Sequence, residues 1–261
     1  RLVPALVTPP ANGAHVCDRC STWTPNGRLS ERACRSTHLD DHNRVRDREL
    51  TSILCENCLE VRTALDRDPL GLSVISLYRK PSPLRNALTR YKGREDDEDP
   101  FDPACVRLVR SMLGRYLMEH GESLLQVSGG IDGIVVVPST ERPAPHPLEA
   151  VVDSLELDLP RLQLLARGPG ELGFRRPSPD GYRVVMTHAP SRILLLDDVY
   201  TTGSRLNSAA CALEQSGHKT VAALVLARRI NPDYSSEATQ LWAAATTQAF
   251  DWKTSPRTVE A

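Results

Sequence analysis

The sequence lacks any long apolar run and carries almost no net charge. Its longest apolar stretches, residues 193–196 and 221–227, are far shorter than the roughly 20 residues that cross a bilayer, so no membrane partner is expected. The start of the chain lacks the basic-then-apolar pattern of a secretory signal peptide, and we expect a cytoplasmic protein. The formal net charge of −1 does not indicate a generally basic nucleic-acid binder, although a local basic patch is compatible with it.

The rest of the composition is ordinary for a globular protein. The 261 residues are 40% apolar and 25% charged, which is enough for one large α/β domain with a small appendage. In the second half of the chain, short branched apolar segments alternate with a helical pattern: strands at 131–137, 193–196 and 221–227, and a helix at 204–216. This alternation predicts a parallel sheet with right-handed crossovers, in a domain that we place at residues 70–261.

Other local signals predict further elements. Asp102 fits an N-cap and Pro103 the first position of a helix that we expect to end at Gly121. A shorter helix is expected over residues 148–157. The Gly-, Pro- and Arg-rich segment 167–182 indicates a long loop or a loose hairpin.

Four of the seven cysteines form two close pairs, Cys17-x-x-Cys20 and Cys55-x-x-Cys58. Without an export signal, this pattern favours a metal site over disulfides. The two-residue gap lets two thiolates bind one Zn²⁺, and four thiolates complete a structural tetrahedral site. We therefore expect an N-terminal zinc module over residues 1–69, to which the metal would contribute about 10–16 kcal/mol of apparent binding energy.

The segment between the two pairs leaves one alternative open. Cys34 and His38 have a C-x3-H spacing and could replace one pair. The same segment mixes arginines with acidic residues, so it is not a basic patch. Cys105 and Cys211 stand among apolar residues on predicted helices, and we expect both to be buried packing residues.

The string ILLLDDVYTTGSR at residues 193–205 carries the main functional signal. Four branched apolar residues predict a buried strand, which delivers Asp197 and Asp198 to its carboxyl end, where open α/β sheets bind ligands. Two adjacent carboxylates suit vicinal sugar hydroxyls and a divalent cation. The alternative is a solvated turn after the strand.

Small hydroxylated residues follow the two acids and lead directly into the predicted helix. They are Thr201, Thr202, Gly203 and Ser204. Backbone N–H groups at a helix N-terminus bind anions, and Gly203 permits a close approach of the backbone. An acid pair followed by a phosphate-binding turn describes a site for a 5-phosphoribosyl group, whereas the alternative is a simple helix cap.

This string resembles the type I phosphoribosyltransferase family, which uses 5-phosphoribosyl-1-pyrophosphate (PRPP) with Mg²⁺. The resemblance implies that Asp197 and Asp198 contact the ribose hydroxyls and act in catalysis, and that the following turn holds the 5′-phosphate. Two residues depart from the family pattern. Tyr200 replaces the usual aliphatic residue, and Arg205 replaces a hydroxyl residue, where it either adds a phosphate contact or points away.

Three further segments are candidates for the pyrophosphate side of a PRPP site. The resemblance implies a pyrophosphate loop after the strand at 131–137, and a mobile loop over 167–183 whose arginines close over the pyrophosphate. Lys92 lies in the basic string YKGR. The candidate residues are Ser139, Thr140, Arg142, Lys92, Arg175 and Arg176. The alternatives are a helix-capping loop, surface arginines and a solvated helix end.

The order of the segments extends the resemblance over nearly the whole chain. A four-cysteine module, a YKGR-like string and a phosphoribosyltransferase core resemble the layout of the ComF family, which is associated with DNA uptake in some bacteria. Residues 162–183 depart from that family's usual string. We therefore expect a type I phosphoribosyltransferase fold with a small zinc module, and a Mg²⁺-dependent phosphoribosyltransferase of undefined acceptor. The alternatives are a non-catalytic sensor of PRPP or nucleotide and a DNA-uptake accessory protein.

Overall fold

The computed structural model describes most of the chain. The described residues are 6–11, 16–22, 28–30, 37–39, 45–47, 52–93, 99–139, 145–186 and 189–253, with the backbone alone for 28–30, 37–39, 45–47 and 52. Within these ranges, no helix combines the length and the apolar character that a membrane span requires. Cys34, Thr140 and Arg142 lie outside the described residues, as does the side chain of His38.

Strands and helices alternate through the second half of the chain. The strands are Arg28–Ser30 (β1), Thr37–Leu39 (β2), Val45–Asp47 (β3), Ser52–Leu54 (β4), Ser73–Tyr78 (β5), Gly133–Val136 (β6), Leu165–Arg167 (β7), Tyr182–Val184 (β8), Arg192–Tyr200 (β9) and Lys219–Arg229 (β10). The helices are Glu56–Leu65 (α1), Pro83–Arg90 (α2), Pro103–Ser128 (α3), Pro147–Asp153 (α4), Ser204–Gln215 (α5) and Ser236–Thr246 (α6), with a 3₁₀ turn at Pro232–Tyr234.

A four-stranded parallel sheet forms the centre of the molecule, in the order β5-β10-β9-β6. Alternate residues of β9 point to opposite faces: Leu194 and Leu196 pack in a core with α2, α3 and α4, and Ile193 and Leu195 pack in a core with α5. Both faces are covered, as buried apolar strands require. The predicted α/β class, a parallel sheet flanked by helices, is confirmed.

Helix α3 is longer than the sequence predicts. It begins after Asp102, whose side chain accepts a hydrogen bond from the Ala104 N–H at 2.9 Å, as expected. The predicted end at Gly121 is wrong, because Gly121 keeps helical backbone geometry and does not adopt the left-handed conformation of a C-cap. The helix ends instead at Gly129, which adopts a left-handed conformation with φ of 67°.

Strands β9 and β10 also extend beyond their predicted ends. β10 pairs with β9 as far as Tyr200, so Asp197 and Asp198 lie inside the strand and not in a turn after it. Helix α4 is shorter than predicted and ends at Asp153. The segment 167–182 forms the predicted hairpin, because β7 and β8 pair antiparallel on either side of it.

The two cysteine pairs come together through a pair of hydrogen bonds between their flanking residues. The Asp18 N–H donates to the Ile53 carbonyl at 2.8 Å, and the Ile53 N–H donates to Asp18 Oδ2 at 2.6 Å. The cysteines pack in the same buried cluster as Leu77, Val135 and other residues of the central sheet. The boundary between residues 69 and 70 stays a prediction.

Candidate functional site

The four paired cysteines converge to one point on the α5 side of the sheet. Their Sγ atoms all lie within 4.8 Å of one another, with Cys17 to Cys58 at 3.6 Å and Cys20 to Cys55 at 3.5 Å. Thiolates that bind Zn²⁺ tetrahedrally at about 2.3 Å lie about 3.8 Å apart. All four side chains are buried. The donor set therefore fits a closed metal site such as one for zinc.

Local structure explains how each pair is held. Cys17 opens a tight turn in which its N–H donates to the Thr22 carbonyl at 2.7 Å, and Cys55 is the N-cap of α1, which places Cys58 in the first helical turn. Hydrogen bonds among the thiols lower the pKa of Cys20, and the charge of Arg228 lowers it further. The two predicted packing cysteines, Cys105 and Cys211, are buried, as expected.

Asp197 and Asp198 are buried at the carboxyl half of β9, 2% and 0% exposed. The Asp198 N–H donates to Asp197 Oδ1 at 2.9 Å. Asp198 Oδ2 accepts a hydrogen bond from the Tyr91 hydroxyl at 2.7 Å and pairs with the Lys92 ammonium. Asp198 Oδ1 is also buried, and no group of the described chain donates to it. One carboxylate oxygen is thus fixed by two internal groups, and the other is buried without a partner among the described residues.

The pKa values of the two acids are shifted in opposite directions. Burial raises the pKa of Asp197 to about 6, Arg205 counteracts this rise, and the charge of Asp198 adds to it. Burial also works to raise the pKa of Asp198, but the charge and hydrogen bond of Lys92, the charge of His146 and the hydroxyl of Tyr91 together lower it. Asp198 therefore keeps its charge at neutral pH, whereas Asp197 changes charge near pH 6.

Arg205 points towards the acid pair. Its Nη2 atom lies 3.5 Å from Asp197 Oδ1, and the charge of Asp197 is the main cause that raises the pKa of Arg205. The sequence left two positions open for this side chain, a phosphate contact or a position away from the phosphate. In the structure the guanidinium offsets the charge of a buried carboxylate.

The segment from Thr201 to Ser204 forms a tight turn into α5. Gly203 is the N-cap with φ of 87°, and no side chain of the described residues caps this helix. The Thr202 and Ser204 hydroxyls share a hydrogen bond at 3.1 Å, and Asn207 Nδ2 donates to the Gly203 carbonyl at 2.9 Å. The first N–H groups of α5 thus have no side-chain cap among the described residues, and their binding of an anion stays a prediction.

Arg175 contacts this turn from the predicted mobile loop. Its backbone N–H donates to Thr202 Oγ1 at 3.3 Å, whereas its guanidinium donates to Asn57 Oδ1 at 2.8 Å and to Glu56 Oε2 at 3.1 Å. The side chain is thus bound to α1 and does not extend over the acid pair. Arg176 lies next to it and exchanges backbone hydrogen bonds with Gly173.

The candidate pyrophosphate loop is described only at its start. Ser139 follows the end of β6, and the preceding Pro138 carbonyl accepts a hydrogen bond from the Tyr182 hydroxyl at 3.0 Å. Thr140 and Arg142, which complete the predicted loop, fall among the residues that are not described. Their role stays a prediction.

Sequence reasoning missed His146 and Asn207. His146 is buried and lies near Asp198, and its Nδ1 accepts from the Leu148 N–H at 3.1 Å as the N-cap of α4. Asn207 Oδ1 accepts from the Leu70 N–H at 2.9 Å, which connects the start of α5 to the segment before β5. A polar residue four positions after Gly203 was the only signal for Asn207, and no spacing signals His146.

A groove of about 790 Å³ lies beside the turn. Thr201, Thr202, Arg175 and Arg228 line it together with the start of α1 and residues of α6. Phe174 and Tyr234 also line this groove and are 67% and 64% exposed. The volume is in the range of small-molecule pockets.

Comparisons with known proteins give limited information. No family model matches the chain, and no curated protein matches it. Adenine phosphoribosyltransferase from Trypanosoma brucei, in complex with AMP, pyrophosphate and ribose-5-phosphate, is 14% identical over 57% of this chain and 81% of that chain, with a TM-score of 0.33. The enzyme from Leishmania tarentolae is 17% identical over 58% and 90%, also with a TM-score of 0.33. Scores this low carry no argument about function.

Proposed function

We propose that this protein is a phosphoribosyltransferase that binds the 5-phosphoribosyl group of PRPP at the carboxyl end of β9. The observation that carries the proposal is the juxtaposition of two buried carboxylates, one with an unpaired oxygen, and a helix N-terminus that begins at Gly203 and has no side-chain cap among the described residues. Carboxylates accept from vicinal hydroxyls, and helix N–H groups bind phosphate. The acceptor is undefined.

Each residue of the site has a role in this proposal. Asp198 Oδ1 accepts a hydrogen bond from one ribose hydroxyl, and Asp197 accepts a hydrogen bond from the neighbouring hydroxyl. The N–H groups and hydroxyls of the turn hold the 5′-phosphate. We assign the pyrophosphate contacts to Lys92, Ser139, Thr140, Arg142 and Arg176. Arg175 would join them only after its guanidinium leaves Asn57 and Glu56.

The proposed reaction breaks the bond between ribose C1′ and the pyrophosphate oxygen, and the pyrophosphate leaves with the bonding electron pair. The acceptor then forms the new bond to C1′. Mg²⁺ that entered with the substrate would neutralise pyrophosphate charge. The buried charge of Asp198 stabilises positive charge that develops on the ribose ring.

The metal ligands are part of the same proposal. We infer that the four-cysteine site binds Zn²⁺ in a structural role, because four thiolates leave no open position for catalysis. The order of segments, with the four-cysteine module before the phosphoribosyltransferase-like domain, resembles the layout of ComF-like proteins.

Calorimetry with PRPP and Mg²⁺, beside an assay of pyrophosphate release over a panel of nucleobases and amines, tests the function. We expect binding by the wild-type protein and a loss of about 2–3 kcal/mol, or roughly 30–150-fold in affinity, in Asp198→Asn, because a charge-assisted hydrogen bond is lost. The matched control is Asp180→Asn, which makes the same change at an exposed position. Absence of PRPP binding by zinc-loaded protein would sink the proposal.

One observation favours a second candidate, a non-catalytic sensor of PRPP or a nucleotide. Lys92 pairs with Asp198 and Arg205 with Asp197, so the two acids are already balanced by two internal cations. A balanced pair needs no divalent cation to bind a sugar. PRPP binding that is independent of Mg²⁺, with no pyrophosphate release for any acceptor, would favour the sensor over the enzyme.

A further inference from the structure

Tyr200 connects two sites that are distant in sequence. It is the last residue of β9, it is 4% exposed, and it packs in the same buried cluster as the four cysteines. Tyr200 is one of the two residues at which the sequence departs from the pattern of the family that it resembles.

The other end of the Tyr200 side chain contacts the phosphate turn. A Cβ atom built on Gly203 would lie 2.7 Å from Tyr200 Cζ and closer still to the phenol oxygen. Gly203 and the ring therefore leave no room between them. The ring fixes the position of the backbone from which the first N–H groups of α5 extend.

Arg228 links Tyr200 to the cysteine centre from the neighbouring strand. It pairs with Tyr200 in the β10–β9 register, and its guanidinium carbon lies 6.0 Å from the centre of the Tyr200 ring. Its Nη2 donates to Thr22 Oγ1, which lies 3.0 Å from Cys20 Sγ. The contacts thus run from Cys20 through Thr22 and Arg228 to Tyr200 and the turn.

The charge of Arg228 also needs a partner. The side chain is 3% exposed, and its Nε and Nη1 atoms are buried without a hydrogen-bond partner among the described residues. No carboxylate of the described chain pairs with it. An unpaired buried cation is costly, whereas Zn²⁺ with four thiolates carries a net charge of −2. A metal–thiolate centre beside Arg228 would compensate this charge.

We propose that Arg228 and Tyr200 couple the four-cysteine metal centre to the phosphate-binding turn. Arg228 offsets the negative charge of the thiolates and stabilises the bound metal. Tyr200 is a positioning residue that transmits the packing of the centre to Gly203. Loss of the metal therefore loosens the turn as well as the zinc module. The identity of the anion rests on the proposed function, but the coupling itself does not.

Hydrogen exchange of the backbone amides of residues 201–206 measures the coupling without any ligand. In the wild-type protein, chelation of zinc should raise exchange in this peptide about tenfold, and by more than in a peptide from the middle of α3, which reports the stability of the whole fold. A rise of the same size in both peptides would reflect global destabilisation alone and would contradict the coupling. Equal exchange at 201–206 with and without zinc would overturn the proposal.

A pair of arginine variants separates the effect of the Arg228 charge on zinc binding from the effect of losing any arginine on this strand. Arg228→Met should weaken zinc retention against a competing chelator by about 10–100-fold, the usual cost of removing a group that supports metal ligands. Arg229→Met, the neighbouring residue on the same strand, should leave retention unchanged, and Arg228→Lys should restore part of it. If Arg228→Met does not fold, zinc retention by Arg228→Lys is compared with zinc retention by Arg229→Met instead. Zinc retention equal to the wild type in every folded Arg228 variant refutes the charge role.

A tyrosine variant tests the positioning role. Tyr200→Leu should keep the full zinc stoichiometry and yet show raised exchange at 201–206 and weaker binding of inorganic phosphate. Tyr116→Leu makes the same change at an equally buried position in the core on the other face of the sheet, and it should match the wild type in all three measurements. Unchanged exchange in zinc-loaded Tyr200→Leu would overturn the role of Tyr200. Absence of phosphate and PRPP binding in the wild type would instead contradict the proposed function and leave the exchange result to judge the coupling.

Discussion

At the scale of single residues, the acid pair is the centre of the account. Asp197 and Asp198 are neighbours in sequence and equally buried, but their surroundings differ, because Asp198 receives Lys92 and Tyr91 on one oxygen and Asp197 receives Arg205 at 3.5 Å. The pair therefore divides into one permanently charged acid and one that titrates near pH 6. The two pKa values differ because the neighbours of the two acids differ. The sequence alone, with two adjacent aspartates, does not distinguish them.

The raised pKa of Asp197 predicts a pH-dependent stability. The folded protein holds a proton on this group between about pH 4 and pH 6, where the unfolded chain, with a pKa of about 3.9, has lost it. The free energy of unfolding should therefore fall by about 1–3 kcal/mol as the pH rises through that window. Urea unfolding at pH 4.5 and 6.5 measures the slope. Asp197→Asn should abolish this part of the slope, and a variant with the wild-type slope would contradict the assignment.

Gly203 should tolerate no side chain. A Cβ atom would clash with the Tyr200 ring, and φ of 87° is unfavourable for any L-residue. We expect Gly203→Ala to weaken PRPP binding at least tenfold and to lower the free energy of unfolding by about 1–3 kcal/mol. Gly173→Ala is the control, because its nearest neighbour would lie at 3.6 Å. A Gly203→Ala variant that binds PRPP as tightly as the wild type would argue against the close packing of Tyr200.

At the scale of elements, local patterns determine most helices and strands but not their ends. Four branched residues predict β9, yet its pairing with β10 extends the strand to Tyr200 and draws both acids into it. Gly121 looks like a stop in the sequence, but it keeps helical geometry, and α3 continues to the left-handed Gly129. Strand pairing fixes the end of β9 and backbone conformation fixes the end of α3, and neither is visible in a local string.

Gly121 inside α3 and Gly129 at its C-cap predict opposite effects of alanine. Gly121→Ala should raise the free energy of unfolding by about 0.5–1 kcal/mol, because glycine in a helix interior costs conformational entropy and no atom lies near the new methyl group. Gly129→Ala should lower it, because φ of 67° is left-handed. Chemical denaturation of both variants checks the pair, and a destabilised Gly121→Ala would mean that the helix ends earlier.

At the scale of the whole molecule, the N-terminal cysteine region and the sheet share one core. The cysteine spacing predicted the converged cluster from local sequence alone. The contacts that integrate it could not be predicted, because Arg228 reaches Thr22 and Arg175 reaches Asn57 across more than a hundred residues. The same holds for Lys92 and Asp198, where the sequence marked both residues as candidates but gave no sign that they pair.

This shared core predicts that metal removal destabilises the entire fold. Zinc content should fall sharply in Cys17→Ser and Cys55→Ser, and thermal unfolding should shift to lower temperature as a single transition, because the cysteines pack with residues of the central sheet. Cys105→Ser, which removes a buried thiol on α3, should keep its zinc. Full zinc content in the first two variants would refute the four-cysteine site.

The most direct test of the central claim is PRPP binding by the zinc-loaded protein, measured by calorimetry beside Asp198→Asn and Asp180→Asn. The account predicts binding in the wild-type protein and in Asp180→Asn, and a loss of roughly 30–150-fold in Asp198→Asn. Equal affinity in all three proteins, or no binding in the wild type, would contradict a ribose-phosphate site at the end of β9.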